Sequence, residues 1–220
     1  MENIFNAVKD NALFRHISQN DFDKTLCCLS AKTASYKKND IIIPAGEAPK
    51  FIGLVLNGKV RIVKEDMDGK QIILGDITPP NLFGETYAWA GADEFPVTVQ
   101  AAGDCDVLLI DFRKIINACS SACAAHRLLI ENMLQIMASK ISMLDHKVEI
   151  LSKRTIRERL TCFLKTHAKG VKKFAIPFNR EEMAQFLCVD RSALSNELSK
   201  MRDEGLIIFN RNKFEWLHMK

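Results

Sequence analysis

What the chain lacks narrows its function first. No run among its 220 residues approaches the ~18 uncharged apolar residues that mark a membrane-spanning helix. The opening residues, MENIFNAVKDNALFRH, have no apolar core of the secretory-signal type. Seven cysteines is an odd count, so they do not all pair within one chain. With no export signal, free thiols and a reducing cytoplasm are expected. There is no Gly-rich phosphate loop, no G-x-S-x-G elbow, no internal repeat and no low-complexity linker. Asp66-Met67-Asp68-Gly69 starts like a calcium loop, but Lys70 and Gln71 hold the next ligand and turn positions. Strong charge of one sign is missing too: the net charge is only +4.

What is present describes an ordinary globular protein. Hydrophobic residues make up 47% and charged residues 26%, enough to build a core and too apolar for disorder. At roughly 100–200 residues per domain, one large domain or two small ones are expected. The near-neutral charge hides an asymmetry. From Leu151 to Lys220 there are 15 Lys+Arg against 8 Asp+Glu, while the rest of the chain holds 16 against 19. A basic end of this kind points to nucleic acid.

Three segments follow one another. After a short helical lead-in from Ile4 to Leu29, residues up to Lys114 are rich in strand signals. Apolar runs at Ile41–Ile43, Phe51–Leu56, Val60–Val63, Ile72–Leu74, Val97–Val99 and Val107–Ile110 alternate with turn residues. Asn57-Gly58 and Asp68-Gly69 are tight-turn signals, and short strands at regular spacing predict a small barrel or jelly roll. The second segment, Ala124 to Arg154, contains neither Gly nor Pro. Ile130, Leu134, Met137, Ile141, Leu144, Val148 and Leu151 recur at alternating steps of four and three residues. That is a heptad seam. A core helix packed on its own domain would share the spacing, but a seam this narrow and sustained favours a parallel homodimer.

The third segment is the basic one. Ile156, Leu160, Phe163 and Leu164 mark a helix ending near Gly170, and Phe174–Ile176 reads as a short strand. Asn179 with Glu182 resembles a capping box, opening a helix that buries Met183, Ala184 and Leu187. After a break at Cys188-Val189, Asp190 caps a second helix with Leu194, Leu198 and Met201 inward, and Gly205 stops it. Two apolar runs then bracket the polar tip Asn210-Arg211-Asn212-Lys213. This order predicts a winged helix-turn-helix. In that motif the second helix enters the major groove of double-stranded DNA. Its outward residues are Arg191, Ser192, Ser195, Asn196 and Ser199. Arg can pair with guanine O6 and N7, and Asn with adenine N6 and N7. Lys200, Arg202, Arg211 and Lys213 would neutralise phosphates. A merely solvated polar face would explain any single charge, but not a cap, turn, polar face and wing in consistent order.

Pro44-Ala45-Gly46-Glu47, Leu56-Asn57-Gly58-Lys59-Val60, Phe83-Gly84-Glu85 and Arg180 to Ile207 carry a resemblance to the Crp/Fnr superfamily of transcription regulators. The resemblance implies an α+β architecture of an N-terminal double-stranded β-helix (jelly roll, 1–123), a long dimerisation helix (124–154) and a C-terminal winged helix-turn-helix (155–220). It implies a non-enzymatic regulator that binds a near-palindromic operator as a homodimer, answers to a small-molecule effector and has RNA polymerase as a further partner. The effector pocket would lie around Phe83, Gly84, Glu85, Phe95 and Pro96. Family members that bind cyclic AMP pair the Gly-Glu with an Arg-Ser about ten residues on, and here Phe95-Pro96 stands in that place. Phe cannot neutralise a phosphate and Pro donates no backbone hydrogen bond, so an effector other than cyclic AMP is expected.

Three other chemistries have partial signals in the sequence. Cys119, Cys123 and His126 share one helical face and could bind metal or sense oxidation, although a fourth ligand is not apparent. An iron–sulfur cluster has only the adjacent Cys27-Cys28 ahead of the β-roll, and a jelly-roll enzyme of the cupin type lacks histidines between His16 and His126. No cofactor is therefore assigned.

Overall fold

The computed structural model describes residues 2–66, 68, 71–117 and 124–217. The chain divides into two compact units, Met1–Ala138 and Ser139–Lys220, each with its own core.

The first unit opens with helices α1 (Glu2–Val8) and α2 (Gln19–Cys28), separated by a single 3-10 turn at Ala12–Phe14. The expected continuous lead-in is thus interrupted twice, and each break has a local cause. Asn11 Oδ1 accepts from the backbone of Leu13 at 2.8 Å, and Ser18 Oγ accepts from that of Asp21 at 3.2 Å. Both are N-caps, which end one turn of backbone and start another.

Strands β1 (Lys32–Tyr36), β2 (Ile41–Ile43), β3 (Phe51–Asn57), β4 (Val60–Glu65), β5 (Gln71–Ile77) and β6 (Leu82–Phe83) follow. Then come the short helix α3 (Glu85–Trp89), strands β7 (Thr98–Ala101) and β8 (Cys105–Asp111), and the single turn α4 (Arg113–Ile116). The strands form two four-stranded antiparallel sheets, ordered β1-β8-β3-β6 and β2-β7-β4-β5. The jelly-roll expectation is met. β8 shows why: Cys105, Val107 and Leu109 point into the core shared by the sheets, while Leu108 and Ile110 point to the opposite face, under the helices. A strand covered on both faces is continuously apolar, with the two-residue period deciding which core each side chain joins. Gly53 on β3 is required by close approach, because a Cβ there would fall inside the ring of Phe83.

β5 supplies the strand expected at Ile72–Leu74. Ile72, Ile73 and Leu74 are 46–57% exposed, because β5 is an edge strand paired only to β4.

The long helix α5 (Ala124–Ser152) continues from this unit into the next. Its first half is anchored by burial of His126, Leu129, Asn132 and Met133. Asn132 Nδ2 donates to the carbonyls of Leu13 and Arg15 at 2.9 and 2.8 Å, satisfying a buried amide.

The second unit contains α6 (Ile156–Ala168), β9 (Lys173–Ala175), α7 (Arg180–Leu187), α8 (Arg191–Asp203), β10 (Ile207–Asn210) and β11 (Lys213–Trp216). Thr155 and Glu158 form a full capping box at the start of α6. Leu160, Phe163 and Leu164 of α6 meet Met183, Leu187, Leu194, Leu198, Met201, Phe214 and Trp216 in one core. At ~1.5–3 kcal/mol for each large apolar side chain withdrawn from water, that core is the main term holding α7 and α8 in place.

Candidate nucleic-acid interface

α7 and α8 are set by their ends. Asn179 Oδ1 accepts from the backbone of Glu182 at 2.9 Å, and Glu182 Oε2 accepts from that of Asn179 at 2.7 Å, so the expected capping box is complete. α7 stops at Cys188, whose φ of 52° lies in the left-handed region. Asp190 Oδ1 then accepts from the backbones of Ser192 and Ala193 at 2.7 and 3.3 Å, starting α8. The Ser192 hydroxyl, with those two backbone bonds, holds the Asp190 carboxyl below its ordinary range. Leu194, Leu198 and Met201 are buried, so α8 must turn its other face to solvent.

That face carries the expected residues. Arg191, Ser192, Asn196, Lys200 and Arg202 are exposed, and Ser195 and Ser199 half-buried. Three of them have further local duties. The Ser192 hydroxyl donates to Asp190 at 2.5 Å, serving the cap of its own helix. Arg191 Nε lies 3.7 Å from Glu181 of α7, a loose exposed pair that costs little to exchange for another anion. Arg202 pairs with Asp203 at 3.0 Å and sits over the Phe209 ring, at the end of α8 remote from Arg191. β10, β11 and β9 form the wing sheet, and Arg211 and Asn212 are its tip, narrower than the four residues expected. Ile176 N donates to Asn212 O at 2.9 Å and Asn212 Nδ2 to Ile176 O at 3.1 Å, which pins that tip. Arg211 and Lys213 are exposed.

One residue was not singled out from the sequence. Arg180, at the first turn of α7, is half-buried in a cleft with Phe178, Asn179, Met183, Arg211 and Asn212. Its guanidinium stacks 5.3 Å from the centre of the Phe209 ring and donates to Arg211 O at 3.5 Å. Burial pulls its pKa below the ordinary arginine value. Among the described residues no carboxylate pairs with it. The sequence held a signal in the bare Arg at a capped helix start, but not the wing tip that folds back beside it.

In the β-roll, Phe83, Gly84 and Phe95 come together, Glu85 follows Gly84 as a buried side chain, and Pro96 faces solvent. Phe83 and Phe95 are 1% exposed within the core between the sheets. Gly84 has φ +80° and abuts the Phe95 ring. Glu85 is buried and accepts from Thr86 Oγ1 at 3.1 Å. Tyr87 meets Phe95 edge-to-face at 5.7 Å. Phe95 exchanges backbone hydrogen bonds with Gly46 and Glu47, which tie the Pro44–Glu47 turn to it. Pro96 is exposed.

The heptad seam of α5 divides. Leu134, Ile141, Leu144 and Val148 are 57–67% exposed, as is Met143 beside them. Ile130 and Met137 instead pack partly against the core of the first unit, and Leu151 is half-buried. Ile130 and Met137, seven residues apart, share the strip of the helix that meets that core, while Leu134 and Ile141, also seven apart, lie on the neighbouring strip.

Cys119 and Cys123 lie outside the described residues. His126 is buried, with Nε2 3.0 Å from the carbonyl oxygen of Lys114. Among the described residues no cluster of His, Cys, Asp and Glu has metal-binding geometry, and no helix is long and apolar enough to cross a membrane.

Comparison with known proteins agrees with this layout. Residues 33–122 match the cyclic nucleotide-binding domain family, and residues 158–220 match the Crp-like helix-turn-helix domain family. The transcriptional activator protein FnrA of Stutzerimonas stutzeri is 24% identical over 178 residues, covering 78% of this chain and 70% of that protein. The cAMP-activated global transcriptional regulator CRP of Salmonella typhimurium is 22% identical over 181 residues, covering 78% and 83%. The catabolite activator protein of Thermus thermophilus shares the fold, with a TM-score of 0.55 and 22% identity over 94% of this chain and 93% of that one. With a nucleotide-binding-type β-roll and a Crp-like helix-turn-helix in this order, the chain belongs to the Crp/Fnr superfamily of DNA-binding transcription regulators.

Proposed function

We propose that the chain acts as a homodimer that reads a near-palindromic operator through α8 and answers to an effector other than cyclic AMP. The observation that carries the DNA-reading part is α8 itself. One face is locked into the core by Leu194, Leu198 and Met201, while Arg191, Asn196, Lys200 and the serines between them face outward. Arg191, Asn196 and Ser195 would meet base edges. Arg180, Ser192, Ser199, Lys200, Arg202, Arg211 and Lys213 would hold phosphates. The exposed Leu134, Ile141, Leu144 and Val148 support pairing of α5 with a second copy, and two copies supply two recognition helices. Selection from a random duplex pool tests this. An inverted repeat with half-site centres about 34 Å apart is expected; an enriched single site without symmetry would overturn the dimeric reading.

The effector part rests on Phe95. Where cyclic AMP-binding relatives place the phosphate-pairing Arg, this chain puts a ring 1% exposed and packed on Tyr87. A phosphate buried beside it would lose its hydration without gaining a cation there. Calorimetric titration with cyclic AMP is expected to show no heat of binding, and a micromolar dissociation constant would refute the assignment. RNA polymerase as a partner, and the regulation that follows, are supported by family membership alone.

A further inference from the structure

A second cluster of charge lies away from the face read above. Arg157, near the start of α6, spends all three guanidinium nitrogens on α8 and its end. Nε reaches Glu197 Oε1 at 2.5 Å, while Nη1 and Nη2 reach the two oxygens of Glu204 at 2.7 and 2.8 Å. The Glu197 side chain is only 16% exposed. Glu197 and Glu204 are seven residues apart, so they share one flank of the helix axis, away from Arg191, Ser195 and Ser199. Glu197 adjoins Asn196, and Glu204 closes the C-terminal end of α8.

We propose that Arg157 is a positioning residue: by gripping Glu197 and Glu204 together it fixes the set of α8 against α6, and so sets how selectively α8 reads DNA. The physical ground is the fork. A bidentate guanidinium–carboxylate pair defines an orientation as well as a distance, which an ammonium does not. A hydrophobic core alone tolerates small rotations of a helix, whereas bonds at two points along its length resist them. Base-edge hydrogen bonds need that resistance, because they weaken steeply with misalignment. The proposal rests on α8 being the reading helix.

Electrostatics gives the test its direction. Glu197→Gln with Glu204→Gln removes two negative charges from a domain that approaches a polyanion. On charge alone, binding to every duplex should strengthen. The clamp predicts the opposite for the duplex selected by the parent protein: about tenfold weaker binding. Affinity for a scrambled duplex of the same composition should not fall, so the ratio of the two drops. Binding is measured by fluorescence anisotropy of the full-length protein, below the melting temperature of every variant. Arg157→Lys keeps the charge and one contact, and should lose about threefold of the ratio, serving as the second variant should the double one not fold. A purely structural role would move the melting temperature but leave the ratio at the parent value. Parent-like ratios in both variants, or tighter binding to the selected duplex by the double variant, would overturn the clamp. If Arg191→Ala instead binds like the parent, the reading of α8 fails and the clamp with it. If Arg191→Ala weakens binding while the clamp variants do not, the clamp alone fails.

Discussion

Leu144→Ala is expected to weaken self-association through α5. Leu144 is 57% exposed within one chain, so more than half of its surface remains to be buried by a partner. Complete burial of a leucine side chain contributes ~1.5–3 kcal/mol. Scaled to the exposed share, and allowing for the methyl that alanine retains, the loss is about 1 kcal/mol per copy. A twofold interface counts each substitution twice, giving about 2 kcal/mol, or a dissociation constant raised about 30-fold. Sedimentation equilibrium over a concentration series measures this directly. Circular dichroism checks that α5 keeps its helix, to which alanine is favourable. Ser142→Ala, at another exposed position of α5, is the control and should leave the constant unchanged. A dissociation constant for Leu144→Ala equal to that of the parent would refute the reasoning, since it would show that the exposed seam does not meet a partner.

Three further outcomes follow from the geometry. Gly53→Ala should destabilise the first unit by ~1–3 kcal/mol, because the new Cβ collides with the buried Phe83 ring, and a thermal melt reads the loss. Asn179→Ala removes the α7 cap and should cost ~1 kcal/mol by chemical denaturation, with the Glu182 arm of the capping box left alone. Asp76 accepts from Arg61 Nε and Nη2 at 2.7 and 3.0 Å, which holds its carboxyl below the ordinary range. A depressed carboxylate pKa contributes stability that is fully present above the unfolded value of ~3.9 and disappears as pH falls through the lower folded value. Urea midpoints between about pH 6 and about pH 2.5 should therefore fall less in Asp76→Asn than in the parent; equal slopes would deny the pair that role.

Much of the second unit was legible from the sequence because its signals are local. The caps at Asn179 and Asp190, the break at Cys188 and the stop at Gly205 each act within three or four residues of where they stand, and all appear as expected. Asn57-Gly58 was legible for the same reason, with Gly58 at φ +77° in the tight connection between β3 and β4. Features made by distant partners were not. β1, with the sequence KTASY, shows no apolar run, and is a strand because it pairs with β8 more than 60 residues on. Ile72–Leu74 was legible as a strand but not as an edge, because an edge position depends on which strands fail to arrive beside it. Arg157 and Arg180 could be read only as charges on helices; the ring, carbonyl and carboxylates that hold them lie 29 to 47 residues away in sequence. The candidate effector residues stand between these cases. Phe83, Gly84 and Phe95 do converge, but that the two rings would fill the space between the sheets depends on packing rather than spacing.

The proposed function turns on the outward face of α8 reading bases. Fluorescence anisotropy of Arg191→Ala on the duplex selected by the parent protein, at fixed salt, tests that reading. A loss of ~1–3 kcal/mol is expected, together with relaxed preference at one base pair of each half-site. Binding by Arg191→Ala with the affinity and base preference of the parent would contradict it.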